Sequence, residues 1–381
     1  MAGATEGVGG AAGGASIGSG GDIAVGKYRS CAFIQLTRPG QLNAIDDAMR
    51  QTIAAALGGW IRDPDIYALR IQSASPKVFS AGGDLRELAR LAVDDPAALR
   101  RTFAAEYRLN WSLECFAKPT VSLIDGLVVG SGVGLTQYGT HRVAGEGYAF
   151  AMPETAIGLF PDVGVISVLA RMPRAIGAYL ALTGRRVGRP DAFRLGLVTH
   201  CLASGEFEAV AAALADADPV DLLLDGRHRD PGPGELVTIE GPIEEVFSAP
   251  TLGSIMERLA ALSAKGGAAG EWAAGVRAEL QALSPLGLIV TLEHLRRVGG
   301  ESLRETLIRD YRLACRMALA HDFREGVRAM VIDKDRNPRW QPASIAAVES
   351  EAVEALFAPL ADGDELVLPS REQLQDLRSG A

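Results

Sequence analysis

The chain has 381 residues, 48% of them apolar, with 38 basic residues against 47 acidic ones and a formal net charge of −9. That length allows about two to three domains and a substantial core. The acidic balance argues against non-specific nucleic-acid binding, which relies on Lys and Arg to neutralise phosphates.

MAGATEGVGGAAGGASIGSGG (1–21) has no basic start and no Leu-rich core, so it does not read as a secretory signal; its Gly, Ala and Ser content predicts a flexible tail. CAFIQLT (31–37) is β-branched and apolar and predicts a strand. RPGQLNA (38–44) is a loop, and an Ala-rich helix follows from about Ile45 to Trp60, ended by DPD (63–65). YALRIQS (67–73) is the next strand. In SAGGDLREL (80–88) a glycine pair marks a strand-to-helix switch, with Asp84 leading into the helix.

AALRRTFAAEYRLNWSLECF (97–116) is a helix on which Leu99, Phe103, Leu109 and Leu113 recur near a 3.6 period. Glu106 falls on the same stripe, three positions from Phe103 and three from Leu109. Taken alone, it reads as a stripe-edge residue reaching solvent or pairing with an arginine such as Arg108 or Arg142. PTVSLIDG (119–126) is a buried strand, LVVGSGVGLTQYG (127–139) a Gly-rich turn running into a helix, and HRVAG (141–145) another strand.

Helical patterns and short turns alternate from Asp162 to about Gly205. Strands alternating with helices predict an α/β architecture, with a core over 22–205. Residues 206–358 are mostly helical. Ser284-Pro285 starts a helix with proline in its first position. Ser302–Glu305 reads as a capping box opening a helix to about His321, and Asp322–Glu325 repeats the device with Asp322 as cap. The acidic tail, 359–381, is expected to be peripheral.

No apolar run of about 18 or more residues is present, so neither a transmembrane helix nor a membrane partner is expected. Cys31, Cys115, Cys201 and Cys315 are scattered without a CxxC. His200 adjoins Cys201, but no further ligands accompany the pair. The cysteines read as structural thiols in a reducing compartment, with no metal site. The histidines, His141, His200, His228, His294 and His321, lie in no motif that requires one, and surface or packing roles are expected for most.

Three stretches can carry chemistry. Gly82 and Gly83 in SAGGD let the backbone approach a ligand, leaving the Gly83 amide to donate. VVGSGVG (128–134) places free amides at a helix start. Two such amides can form an oxyanion hole, although tight helix–strand packing explains a GxGxG equally well. The glycines fail the dinucleotide pattern at the third position, and Val129 and Val133 stand where a nucleophile elbow around Ser131 needs glycine.

In AMPETAIGLFPDVG (151–164), Glu154 and Asp162 are the only charges. Fully extended, they would lie roughly 26 Å apart. A turn at Gly158 and Pro161 can bring them together, and burial would then suit them to acid–base work. A helix-start Glu154 and a capping Asp162 account for them equally well.

SAGGD, VSLIDGLVVGSGVGL and MPETAIGLFPDVG, in this order and spacing, together with RPGQLNA and Lys118-Pro119, resemble the enoyl-CoA hydratase/isomerase (crotonase) superfamily over about residues 25–205. PETAIGLFPDVG, AEYRLN and REGVRAMVIDKDRNPRW (324–340) are most similar to its 3-hydroxyisobutyryl-CoA hydrolase branch. The resemblance implies a spiral of ββα turns followed by a helical region. It implies a CoA thioester whose carbonyl sits between the amides of Gly83 and Ser131, where most relatives have glycine in the second place. Hydratases of the superfamily use two glutamates, of which one falls on Glu154 and the other on Gly134.

In the hydrolase branch Glu154 and Asp162 carry or support hydrolysis, and Glu106 matches a further site acid. The implied reaction is hydrolysis of a short 3-hydroxyacyl-CoA in valine catabolism. An enoyl-CoA hydratase or isomerase is the alternative. No cofactor is implied beyond the CoA of the substrate, and a cytoplasmic homo-oligomer is expected. After PDVG this chain continues VISVLARMP where relatives usually have more glycines, which points to a changed acyl pocket.

Overall fold

The computed structural model describes residues 18–361 and 363–376. Eleven strands form two sheets among these residues: β1 Gly18–Gly20, β2 Ile23–Tyr28, β3 Cys31–Leu36, β4 Ala68–Ser73, β5 Val78–Ser80, β6 Thr120–Ile124, β7 Leu127–Val129, β8 His141–Ala144, β9 Ala149–Ala151, β10 Val187–Gly188 and β11 His200–Cys201. The larger sheet has the order β1-β2-β3-β4-β6-β8-β11 and the smaller β10-β9-β7-β5. Successive pairs, β4 with β5, β6 with β7 and β8 with β9, each send one strand to each sheet. This is the ββα spiral that the motif order implied.

Local chemistry explains the elements. All five residues of β6 are buried, as a strand covered on both faces requires. Asp46, Asp84 and Asp95 cap α1 (Asp47–Trp60), α2 (Leu85–Asp94) and α3 (Pro96–Glu114), each accepting from a first-turn backbone N–H. Ser131–Thr136 form α4 and Val165–Leu169 form α5. The four cysteines are buried and unpaired, and burial pushes their thiols up to about 11, which makes them poor nucleophiles. No helix among the described residues is long and apolar enough to cross a membrane.

Several expectations need correction. Residues 1–17 of the expected tail lie outside the described residues, whereas Gly18–Gly20 pair antiparallel with β2. The helix opened by the Ser302 capping box, Leu303–Met317, stops four residues short of His321 because a new helix, His321–Val327, starts there. Asp322 does not cap it. Its carboxylate lies inside the first turn and accepts from Ser284 Oγ at 2.6 Å and from the Gln341 amide at 2.7 Å. The acidic C-terminal stretch is not wholly peripheral: Leu366 and Leu368 are buried, and the Trp111 indole donates to Pro369 O at 2.8 Å.

The helical region also packs behind the PETAIGLFPDVG segment. Ser284 N donates to Thr155 O, and a Cβ on Gly158 (φ 72°) would fall 2.4 Å from the Asp322 backbone carbon. One buried apolar cluster runs from Ile23 to Leu368 and joins the spiral to these helices.

Candidate active site

The C-terminal ends of β5, β7 and β9 lie side by side in the smaller sheet and turn directly into Gly82-Gly83, Gly130-Ser131 and Pro153-Glu154. Ile45 N donates to Gly82 O and Asp84 N to Ile45 O, so the Gly83 N–H between them faces the opposite side. Gly130, at φ 50° and ψ −120°, adopts a backbone that only glycine enters readily, and it presents Ser131 as the first residue of α4. Among the described residues neither the Gly83 nor the Ser131 amide donates to a backbone acceptor in a turn or cap.

Small separations join these segments. A Cβ on Gly83 would lie 3.2 Å from Ser131 Oγ and 3.4 Å from Arg50 Nη2. A Cβ on Gly130 would lie 3.2 Å from Glu154 Oε1 and 3.5 Å from Gly82 Cα. Gly83, Ser131 and Glu154, chosen from three separate motifs, therefore share one site.

Both acids of the PETAIGLFPDVG segment turn inward. Glu154 is buried, and its Oε2 has no hydrogen-bond partner among the described residues. Asp162 accepts from the Tyr107 hydroxyl at 2.8 Å. The capping role for Asp162 is overturned: Gly164 occupies the cap of α5 without a side-chain bond, and only the Asp162 carbonyl serves the turn.

Burial, with the negative charge of Asp162 beside it, holds Glu154 well above the usual carboxylate range. Burial, followed by the charges of Glu106 and Asp310, pushes Asp162 up to about 8, while the Tyr107 hydrogen bond opposes the shift. The raised Asp162 favours the folded state most below an Asp pKa of about 3.9, and that contribution is lost as pH rises through about 8; the raised Glu154 acts in the same direction. The site thus trades stability near neutrality for two acids that hold their protons to higher pH than ordinary carboxylates.

Glu106 is also buried, and its partner is Arg50 of α1, with Nη2 2.5 Å from Glu106 Oε2. The expected arginines do not meet it. Arg108 lies two positions along α3 on its exposed side, and Arg142 donates to the carbonyls of Leu197 and Gly139. Gly134, the position to which the resemblance assigns the second hydratase glutamate, is closely packed: a Cβ there would sit 2.6 Å from Asn110 Nδ2 and 3.1 Å from Val163 Cβ.

Reading the sequence had missed Arg50, Tyr107 and Asn110. The signal for Arg50 was available, since it sits on the α1 face that buries Ile53 and Leu57, where a lone cation calls for a buried anion. Chemically, two such amides near a buried carboxylate can stabilise an oxyanion while the carboxylate acts as nucleophile or base at an acyl carbon.

The chain matches the family model described as enoyl-CoA hydratase/isomerase over residues 31–357. It is 36% identical over 353 residues to a Gallus gallus protein named 3-hydroxyisobutyryl-CoA hydrolase, mitochondrial, covering 90% of each chain. A Homo sapiens protein of the same name is 35% identical over 353 residues, again covering 90% of each. Among solved structures, an enoyl-CoA hydratase from Rhodobacter sphaeroides is 39% identical with a TM-score of 0.84, covering 91% of this chain and 100% of that one. A carnitinyl-CoA dehydratase from Mycobacterium thermoresistibile is 34% identical, also at 0.84, covering 91% and 98%.

Proposed function

This chain belongs to the enoyl-CoA hydratase/isomerase family, and from that premise we propose that it hydrolyses a short 3-hydroxyacyl-CoA thioester, 3-hydroxyisobutyryl-CoA in valine catabolism. The observation that carries this reading is the buried Glu154, one oxygen unpartnered, beside the free amides of Gly83 and Ser131. The curated relatives named as hydrolases of that ester support it.

The thioester carbonyl oxygen is held by the two amides, which stabilise the charge that develops on it. Glu154, once ionised, attacks the carbonyl carbon, or removes a proton from water that attacks it; the tetrahedral intermediate collapses by breaking the C–S bond, CoA leaves as a thiolate that takes up a proton, and on the first route water then cleaves the acyl–Glu154 anhydride to acid and free carboxylate. Asp162, held by Tyr107, takes and returns protons beside it. Glu106, fixed by Arg50, orients the acyl hydroxyl. The chemistry needs no cofactor beyond the CoA that arrives on the substrate. A homo-oligomer in the cytoplasm completes the proposal, although the vertebrate relatives are named as mitochondrial.

Ionised Glu154 is required, so the rate is expected to rise with pH as the acid pair loses its proton. Tyr107→Phe removes a hydrogen bond to the charged form of Asp162, worth about 1.5 kcal/mol or more. The inflection of the Asp162 carboxyl in a pH titration followed by carbon NMR is then expected to move up by about one unit. An unmoved inflection would show that the Tyr107 contact does not govern the pair.

The solved relatives named hydratase and dehydratase favour a second reading, addition or migration at a double bond with Glu154 as the only acid. Product analysis separates the two. With 3-hydroxyisobutyryl-CoA and a 2-enoyl-CoA in parallel, the hydrolase reading expects free CoA from the saturated ester and no hydrated or shifted product from the unsaturated one. An altered acyl chain still bound as thioester would replace it with the second reading.

A further inference from the structure

Behind the Asp162 turn lies a buried pair that the mechanism above does not use. Asp310, on helix Leu303–Met317, and His294, on helix Pro285–Arg297, are both fully buried. His294 Nε2 lies 2.6 Å from Asp310 Oδ1, and Phe160 and Phe357 meet the imidazole edge-on. The other carboxylate oxygen, Oδ2, accepts from the Gly164 amide at 2.6 Å.

That amide belongs to the bend immediately after Asp162. Val163 and Gly164 both have positive φ, 51° and 76°, and a left-handed β-branched residue persists only where its surroundings hold it. Two bonds hold it: Asp310 takes the Gly164 N–H, and the Tyr138 hydroxyl donates to Val163 O. Without the Asp310 bond, the bend has one hold instead of two, and the direction of the Asp162 carboxylate follows the bend.

We propose that Asp310, braced by His294, is a positioning residue for catalysis, aiming Asp162 at Glu154 through the Val163-Gly164 bend. The two C-terminal helices are thereby part of the active site although neither touches the substrate. This rests on the hydrolase reading for its rate measurement and on geometry alone for its position.

Asp310 also acts through charge. The titratable groups facing Asp162 are Glu106 and Tyr107 on α3, Glu154 at the start of its own segment, Tyr138 beyond α4, and Asp310 with His294 behind it; Arg50 offsets Glu106. The negative charge of Asp310 is one cause of the raised Asp162 pKa. Asp310→Asn keeps the volume but leaves one acceptor oxygen where Gly164 and His294 use two, which loosens the bend, and it removes that charge, so Asp162 ionises at lower pH.

The test is steady-state hydrolysis of 3-hydroxyisobutyryl-CoA across pH by wild type, Asp310→Asn, His294→Leu and His294→Gln, with melting curves for each. Expected for Asp310→Asn is a kcat lower by up to about 100-fold, the scale of an ångström-level misplacement, with KM little changed and the inflection of the Asp162 carboxyl, followed by carbon NMR, moved down. His294→Leu is expected to lower kcat similarly, and His294→Gln, whose amide can donate to Asp310, to recover much of it.

An unchanged kcat, or a loss that follows melting temperature with the inflection unmoved and Gln no better than Leu, would overturn the proposal. If Asp310→Asn does not fold, the His294 pair decides by the same comparison. If wild type releases no CoA, the hydrolase reading fails by itself. Positioning is then read from carboxyl carbon NMR of Asp162, assigned with Asp162→Asn, in wild type and Asp310→Asn: a midpoint moved to lower pH supports it and an unmoved midpoint overturns it.

Discussion

Glu154→Gln is expected to lower thioester hydrolysis by at least about 10²-fold, the lower end of what a positioned acid–base group contributes, while the CoA ester still binds. Glutamine matches glutamate in shape, so the segment from Pro153 to Gly158 keeps its packing. The Gly83 and Ser131 amides are untouched and continue to hold the carbonyl oxygen. The change removes a carboxylate with an unpartnered buried oxygen at the ends of β7 and β9. It also removes the repulsion between the buried Glu154 and the partly buried Asp162, so the variant is expected to melt no lower than wild type at pH 8. Lost turnover with retained stability and binding is the signature of a reacting group. Turnover within a few-fold of wild type would remove Glu154 from that role. Thiol release, calorimetric binding of a CoA ester and thermal melts give the three readings.

Arg50→Ala is expected to have the largest effect on stability. Arg50 is 2% exposed and Glu106 7%, and their ion pair is the contact between them. Removing the arginine leaves a buried carboxylate uncompensated beside the other site acids, a change that costs about 3–5 kcal/mol. Replacing both members, Arg50→Met with Glu106→Gln, removes the charges together and is expected to recover most of that loss in urea melts. The double variant separates support from function: it folds, yet lacks the group proposed to orient the acyl hydroxyl, so its KM for the 3-hydroxy ester is expected to rise. A single Arg50→Ala as stable as wild type would mean that Glu106 does not depend on this pair.

The sequence was most legible where a local rule decides the outcome. The Ser302–Glu305 capping box and the Ser284-Pro285 helix start are both observed, because a cap needs only its own first turn. Glu154 and Asp162 stood out because an uncharged segment had no reason to carry acids. Asp322 misled because its carboxylate serves Ser284 and the Gln341 amide, far along the chain, and a tertiary bond leaves no mark on local spacing. Strands β5, β7 and β9, three residues each, are too short for a period-two pattern to register, yet their ends build the site. Arg50 and Asp310 lay within reach. Each is a charge on a helix stripe otherwise apolar, Arg50 near Ile53 and Leu57, Asp310 near Leu307, Leu313 and Ala314, and the reasoning that singled out Glu106 applies to both.

Release of free CoA thiol from 3-hydroxyisobutyryl-CoA, followed for wild type and Glu154→Gln side by side, tests the central claim most directly. The expected result is one thiol and one 3-hydroxyisobutyrate per ester consumed by wild type, and near-background release by the variant. Wild type that consumes no ester, or a variant that matches it, would contradict the claim.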